Sequence, residues 1–164
     1  MRFSDLNLSK EVLQAIDDMG FESPSEVQEG TIPLILEGRD VLAQAQTGTG
    51  KTASFGIPMI ERIQDDCDGM QGLVLVPTRE LARQVSDELK KLAKYKKFIS
   101  IVPIYGGADM GKQLRDLKKG ADIVVGTPGR VMDHMKRKTI VLDDLKFLTF
   151  DEADEMFDLS LIHI

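Results

Sequence analysis

One cysteine and two histidines are all that the sequence offers to thiol and imidazole chemistry. Cys67 on its own forbids an internal disulfide and fits a reducing compartment. His134 and His163 are too few and too isolated to make a zinc site. No apolar run approaches the roughly 18 residues of a membrane-spanning helix, and the first residues lack a signal peptide's basic and apolar regions. Internal repeats, low-complexity runs and linkers are absent too. Together these absences point to a cytoplasmic protein with no membrane partner.

What is present is ordinary in amount and uneven in distribution. The 164 residues are 42% hydrophobic and 29% charged. That suits one domain able to bury roughly 70% of its unfolded surface. The net charge of −6 hides a division. Residues 1–40 are acidic, whereas 83–120 carry an excess of lysine and arginine, including "KKLAKYKK" at 90–97. A basic middle on an acidic chain can meet phosphates, or it can be the solvated face of a helix.

Hydrophobic periodicity predicts strands alternating with helices. Helices are expected at 9–19 (Val12, Leu13, Ile16 and Met19 on one face), 51–63, 78–95 (Leu81, Val85 and Leu89 inward, Leu92 behind), 110–117 and from 128 to about 136. Strands are expected at 41–43, 72–77, 100–104, 122–128 and 147–150. Continuous apolar strands separated by helices imply an α/β fold with a mostly parallel sheet covered on both faces.

Between the first of those strands and the next helix stands Ala45-Gln46-Thr47-Gly48-Thr49-Gly50-Lys51-Thr52. Glycines there let the backbone curl so that its N–H groups point at phosphate oxygens. The helix start adds its positive dipole end. Lys51 can reach the β- and γ-phosphates of a nucleotide, and the Thr52 hydroxyl can bind Mg²⁺. Ala45 occupies the position where the general pattern has its first glycine. The plain alternative is a glycine-rich turn with a chance lysine. A Mg²⁺-nucleotide site also needs a carboxylate at the end of another strand, and "FLTFDEAD" supplies Asp151 and Glu152 there. Asp151 would hold Mg²⁺ through water, and Glu152 would orient or deprotonate the attacking water. An acidic helix N-terminus is the alternative for these two. No Asn-Lys-x-Asp guanine signature exists in the chain, which disfavours a regulatory GTPase.

"DEAD" together with "AQTGTGKT" resembles the DEAD-box ATP-dependent RNA helicases. Further motifs fall in the family's order: "GFESPSEVQ" at 20–28 resembles the Q motif, with Phe3 as its upstream aromatic. "PTRELA" at 77–82, "GG" at 106–107 and "TPGR" at 127–130 resemble the RNA-contacting motifs. The bacterial cold-shock and ribosome-biogenesis members look most alike. The resemblance implies a P-loop, RecA-like three-layer sandwich over residues 1–158. It implies adenine selection by Gln28 with Phe21 stacked on the base, and RNA contacts from Pro77, Thr78, Arg79, Gly106, Gly107, Thr127, Pro128, Gly129 and Arg130. Those contacts go to backbone phosphates and carry no sequence information. Arg79 could instead pair with Glu80 or a backbone carbonyl, Arg130 with an acidic neighbour, and Gly106-Gly107 could be an ordinary turn.

The family also has a Ser-Ala-Thr motif after "DEAD" and a second RecA-like domain that supplies arginines to the γ-phosphate. Neither is found here. The domain is therefore expected to be incomplete at its C-terminus, and residues 159–164, "LSLIHI", to be a non-native, adapter-encoded tail. Two functions stay open: ATP hydrolysis coupled to RNA binding and strand separation in the full-length parent, or a non-catalytic nucleotide- and RNA-binding module.

Overall fold

The computed structural model describes residues 1–43, 50–107 and 109–154. These divide into two compact units, Met1–Gln64 with Asp87–Phe98, and Asp65–Ser86 with the chain from Ile99 onward.

The first unit is helical. A 3-10 turn at Phe3–Leu6 precedes helix α1 (Lys10–Asp18), α2 (Glu26–Leu36) and α3 (Lys51–Arg62). Ser9 starts α1: its hydroxyl accepts from Val12 N–H at 3.4 Å. Val12, Ala15 and Ile16 form the buried face. α2 has no counterpart among the expected helices. Its start is a capping box in which Ser25 accepts from Gln28 N–H, and the Gln28 side chain accepts from Ser25 N–H. Helix α3 is apolar all round: Ala53 through Ile60 are buried without a break, the pattern of a helix enclosed on every side. At Gly56 an added Cβ would lie 2.7 Å from Leu89 Cδ2, so a larger residue cannot stand there without displacing Leu89.

Charge pairs tie this unit together. Glu61 accepts from the Ser9 N–H at 2.6 Å and the Ser9 hydroxyl at 2.8 Å. It also pairs with Lys96 at 3.6 Å, both side chains largely buried. The Lys96 ammonium further donates to the Ile60 and Glu61 carbonyls at the end of α3, where cations are favoured by the helix dipole. Lys94 pairs with Asp18 at 3.0 Å. One lysine of the basic run, Lys94, is thus paired with the acidic N-terminal segment, and another, Lys96, with Glu61 of α3.

The second unit is built on a parallel sheet of β1 (Gly72–Leu75), β2 (Ile101–Ile104), β3 (Ile123–Gly126) and β4 (Phe147–Phe150) in the order β2-β3-β1-β4. Gly72 lies level with Ile123 on one side and Phe147 on the other. All four residues of β3 are buried, as a central strand covered on both faces requires. One face of the sheet contributes Leu73, Val102, Ile104 and Val124 to a core closed by Met70, Val131 and Ile140. Gly126 is needed for this packing: a Cβ there would meet Ile104 O at 2.7 Å and Val131 Cγ2 at 2.5 Å. Helices α5 (Met110–Lys118) and α6 (Pro128–Lys136) belong to this unit, and α4 (Arg79–Leu92) begins in it.

Two expectations need correction. Residues 41–43 are irregular, and Leu42 is 98% exposed; a strand exists by pairing, and these residues pair with none of the four strands. On α4 it is Ala82, Val85, Leu89 and Leu92 that are buried, while Leu81 is only half-buried, because the apolar stripe lies one residue further round the helix.

Candidate functional site

The first unit carries the end of the glycine loop. Gly50, with φ of +77°, is the N-cap of α3, so Lys51 and Thr52 are its first two residues. This left-handed cap turns the chain into the helix, and glycine adopts it without strain. Lys51 and Thr52 are half-buried. Ala45, Gln46, Thr47, Gly48 and Thr49 lie outside the described residues.

Gln28 is buried to 4% exposure, on the inner side of α2. Its Oε1 accepts from Ser25 N–H at 3.0 Å and its Nε2 donates to Gly50 O at 3.1 Å. The carboxamide therefore joins the 20–28 motif to the loop that precedes α3. An added Cβ at Gly50 would lie 2.4 Å from Gln28 Nε2, so a larger residue there would have to displace the carboxamide. Phe21 is half-buried and stacks on Phe3, ring centroids 6.5 Å apart with 28° between planes. The upstream aromatic thus holds Phe21 in place.

The second unit gathers the remaining motifs at one edge of its sheet. Because the strands are parallel, their carboxyl ends share that edge, where ligands bind in open α/β sheets. Pro77, Thr78 and Arg79 follow β1, Gly106 and Gly107 follow β2, Thr127 to Arg130 follow β3, and Asp151 and Glu152 follow β4. The sheet order places the segments after β2, β3 and β1 side by side.

Thr78 caps the start of α4 by accepting from Leu81 N–H at 3.2 Å. Arg79 lies against the glycine turn: a Cβ on Gly107, whose φ is +80°, would sit 3.1 Å from Arg79 Nη1. Its pairing with Glu80, 3.5 Å and exposed, contributes little. Thr127 is the N-cap of α6, with Pro128 in its first turn and no side-chain capping bond. Among the described residues Arg130 has no acidic partner; its Nη1 donates to Gln113 Oε1 at 3.1 Å.

Asp151 is 4% exposed, and its N–H donates to Leu75 O at 2.9 Å, extending the β1–β4 ladder by one bond. Glu152 has φ of +55°, a left-handed conformation uncommon outside glycine and a form of strain that gathers at functional sites. Among the described residues no group of three His, Cys, Asp or Glu is arranged to hold a metal.

Residues 25–163 match the DEAD/DEAH box helicase family. The chain belongs to that family. An ATP-dependent RNA helicase CshA of Listeria monocytogenes is 50% identical over 161 residues, covering 98% of this chain and 31% of the relative. A DEAD-box ATP-dependent RNA helicase CshA of Bacillus subtilis is 51% identical, with 98% and 32% covered. The crystal structure of a DEAD box protein from Methanococcus jannaschii superposes with a TM-score of 0.92 at 48% identity, over 99% of this chain and 44% of that one. One from Sulfolobus tokodaii, described as a hypothetical ATP-dependent RNA helicase, gives 0.85 at 40% identity, over 95% and 45%. The chain spans about a third of the length of the curated relatives it matches.

Two polar residues near this edge carry no family motif in the sequence reading. Gln113 and His134 are buried, with 4% and 0% exposure. The available signal was the rarity of fully buried glutamine and histidine on amphipathic helices.

Proposed function

We propose that this chain is the N-terminal ATP- and RNA-binding domain of a cytoplasmic ATP-dependent RNA helicase. The observation that carries this is the row of segments after β2, β3 and β1 on one sheet edge, in a chain of this family. Helix starts and a glycine turn face that edge with arginines beside them, the donor set that suits phosphates of a nucleic-acid backbone.

Lys51 and the backbone of residues 45–50 would bind the nucleotide phosphates. Thr52 and Asp151 are hard oxygen donors and fit Mg²⁺, which keeps several waters and needs only one or two protein ligands; Asp151 would act through water. Mg²⁺ bound with ATP neutralises charge that develops on the transferred phosphoryl group. Glu152 would orient the attacking water and accept its proton. Gln28 spends one acceptor and one donor inside the protein. A carboxamide has another of each, the pair that adenine N6 and N7 require. Phe21 would cover the base. A second RecA-like domain in the full-length protein would supply the remaining arginines and half of the RNA groove.

Calorimetric titration with Mg·ADP and Mg·GDP tests the nucleotide assignment. ADP should bind more tightly, and Gln28→Ala should remove roughly 1–3 kcal/mol of the preference, as for other bidentate base contacts. Equal affinities for the two nucleotides would rule out adenine reading by Gln28.

A further inference from the structure

Gln113 sits on α5, away from every sequence motif discussed above, yet its carboxamide joins two of them. Its Nε2 donates to Tyr105 O at 2.8 Å, at the entry to the Gly106-Gly107 turn. This bond fixes which end of the amide is oxygen. Its Oε1 then accepts from Arg130 Nη1 at 3.1 Å and lies 3.1 Å from His134 Nε2. Since Oε1 can only accept, His134 donates from Nε2. The other ring nitrogen lies 2.8 Å from the Thr139 hydroxyl, which is also 3.0 Å from the His134 carbonyl. Gln113 and His134 are both buried, and the bond between them is fully so, while the bonds to Tyr105, Arg130 and Thr139 are partly buried. Burial, then Arg130 and Arg137, pushes the His134 pKa below its ordinary value.

We propose that Gln113, backed by His134, is a positioning residue that locks the glycine turn after β2 to Arg130 of α6, so that the two segments offer RNA a single rigid surface. This rests on the RNA-binding reading above. A guanidinium on a flexible stem loses side-chain entropy when it engages a phosphate. An Arg130 already held by a buried amide has lost part of that freedom beforehand. The turn gains likewise, because its entry carbonyl is anchored by the same amide. The clamp predicts an effect on RNA affinity with no effect on chemistry.

The experiment is the RNA-concentration dependence of ATP hydrolysis by the gene's full-length product, in Gln113→Leu, Arg130→Ala and the double variant. Gln113→Leu should raise the RNA KM about tenfold while kcat at saturating RNA and the ATP KM stay within about twofold, the split expected when only binding is lost. In the Arg130→Ala background the same change should add less than about threefold, because residues acting through one another are not additive. An unchanged RNA KM in folded Gln113→Leu protein overturns the proposal, and so does full multiplicativity with Arg130→Ala. If Arg130→Ala itself leaves the RNA KM unchanged, the RNA reading of "TPGR" has failed instead. Should Gln113→Leu not fold, Gln113→Glu preserves the volume and the acceptor for Arg130 but sets a carboxylate against Tyr105 O. It should still raise the RNA KM, and an unchanged value there overturns the clamp equally.

Discussion

At the scale of single residues, the polar side chains of this domain act mostly as connectors. Gln28 ties its motif to Gly50, Glu61 ties α1 to Lys96, and Gln113 ties a turn to a helix. Gly50 is constrained twice, since its left-handed conformation disfavours a side chain and a Cβ there would have to displace the Gln28 carboxamide. Gly50→Ala should cost roughly 1–2 kcal/mol for the left-handed backbone alone. It should also weaken Mg·ADP binding, which calorimetry can follow beside unfolding. His134 gives a pH signature. Its pKa is lowered in the fold from the ordinary 6.5. Its contribution to stability is therefore complete above that value and is lost as pH falls below it, because the unfolded state then binds the extra proton. Urea midpoints at pH 7.5 and pH 5.5 should differ more for the wild-type protein than for His134→Gln. A histidine-independent fall would show that the ring does not titrate as described. Asp18 behaves as a surface counterpart: hydrogen bonds from Tyr95, then Lys94 and Gln14, hold its pKa at about 2.

At the scale of elements, the legible part of the fold was the part with strong periodicity or a buried apolar run. β1, β3, β4, α5 and α6 lie within a few residues of their expected bounds. Helix α2 was missed because its composition is apolar without a clear stripe and it contains Pro33; the Ser25-x-x-Gln28 box was its one local signal. The expected strand at 41–43 failed for the opposite reason: a short apolar triplet has strand propensity, but pairing decides, and pairing is not local. The motifs after β1, β2, β3 and β4 were legible as segments because each follows a strand end. Gln113 and His134 were not, since their roles arise from contacts between elements distant in sequence. Gly126 shows how tight the element packing is, its Cα standing where any Cβ would strike the β2 backbone. Gly126→Ala should destabilise by about 1–3 kcal/mol, the usual cost of overpacking, measured as a lower denaturant midpoint at unchanged slope. An unchanged midpoint would mean that β2 and β3 can separate freely.

At the scale of the whole molecule, β4 is the exposed side of the sheet. It pairs with β1 and with no other described strand, and Leu148 and Phe150 are 52% and 51% exposed on it. An open edge with large apolar side chains is a template for association with other chains. The 164-residue chain alone should therefore self-associate with rising concentration in sedimentation experiments, and Leu148→Lys should reduce this. A monodisperse chain at high concentration would contradict it. The central claim is that the residues at the strand ends serve ATP hydrolysis driven by RNA. Its most direct test is the steady-state ATPase rate of the gene's full-length product with and without single-stranded RNA, for the wild type and for Lys51→Ala and Glu152→Gln. The account predicts a rate raised by RNA and lowered at least about a hundredfold by either substitution, since each removes a group acting on the developing charge or on the attacking water. A rate indifferent to RNA, or near-normal turnover in Glu152→Gln, would contradict it.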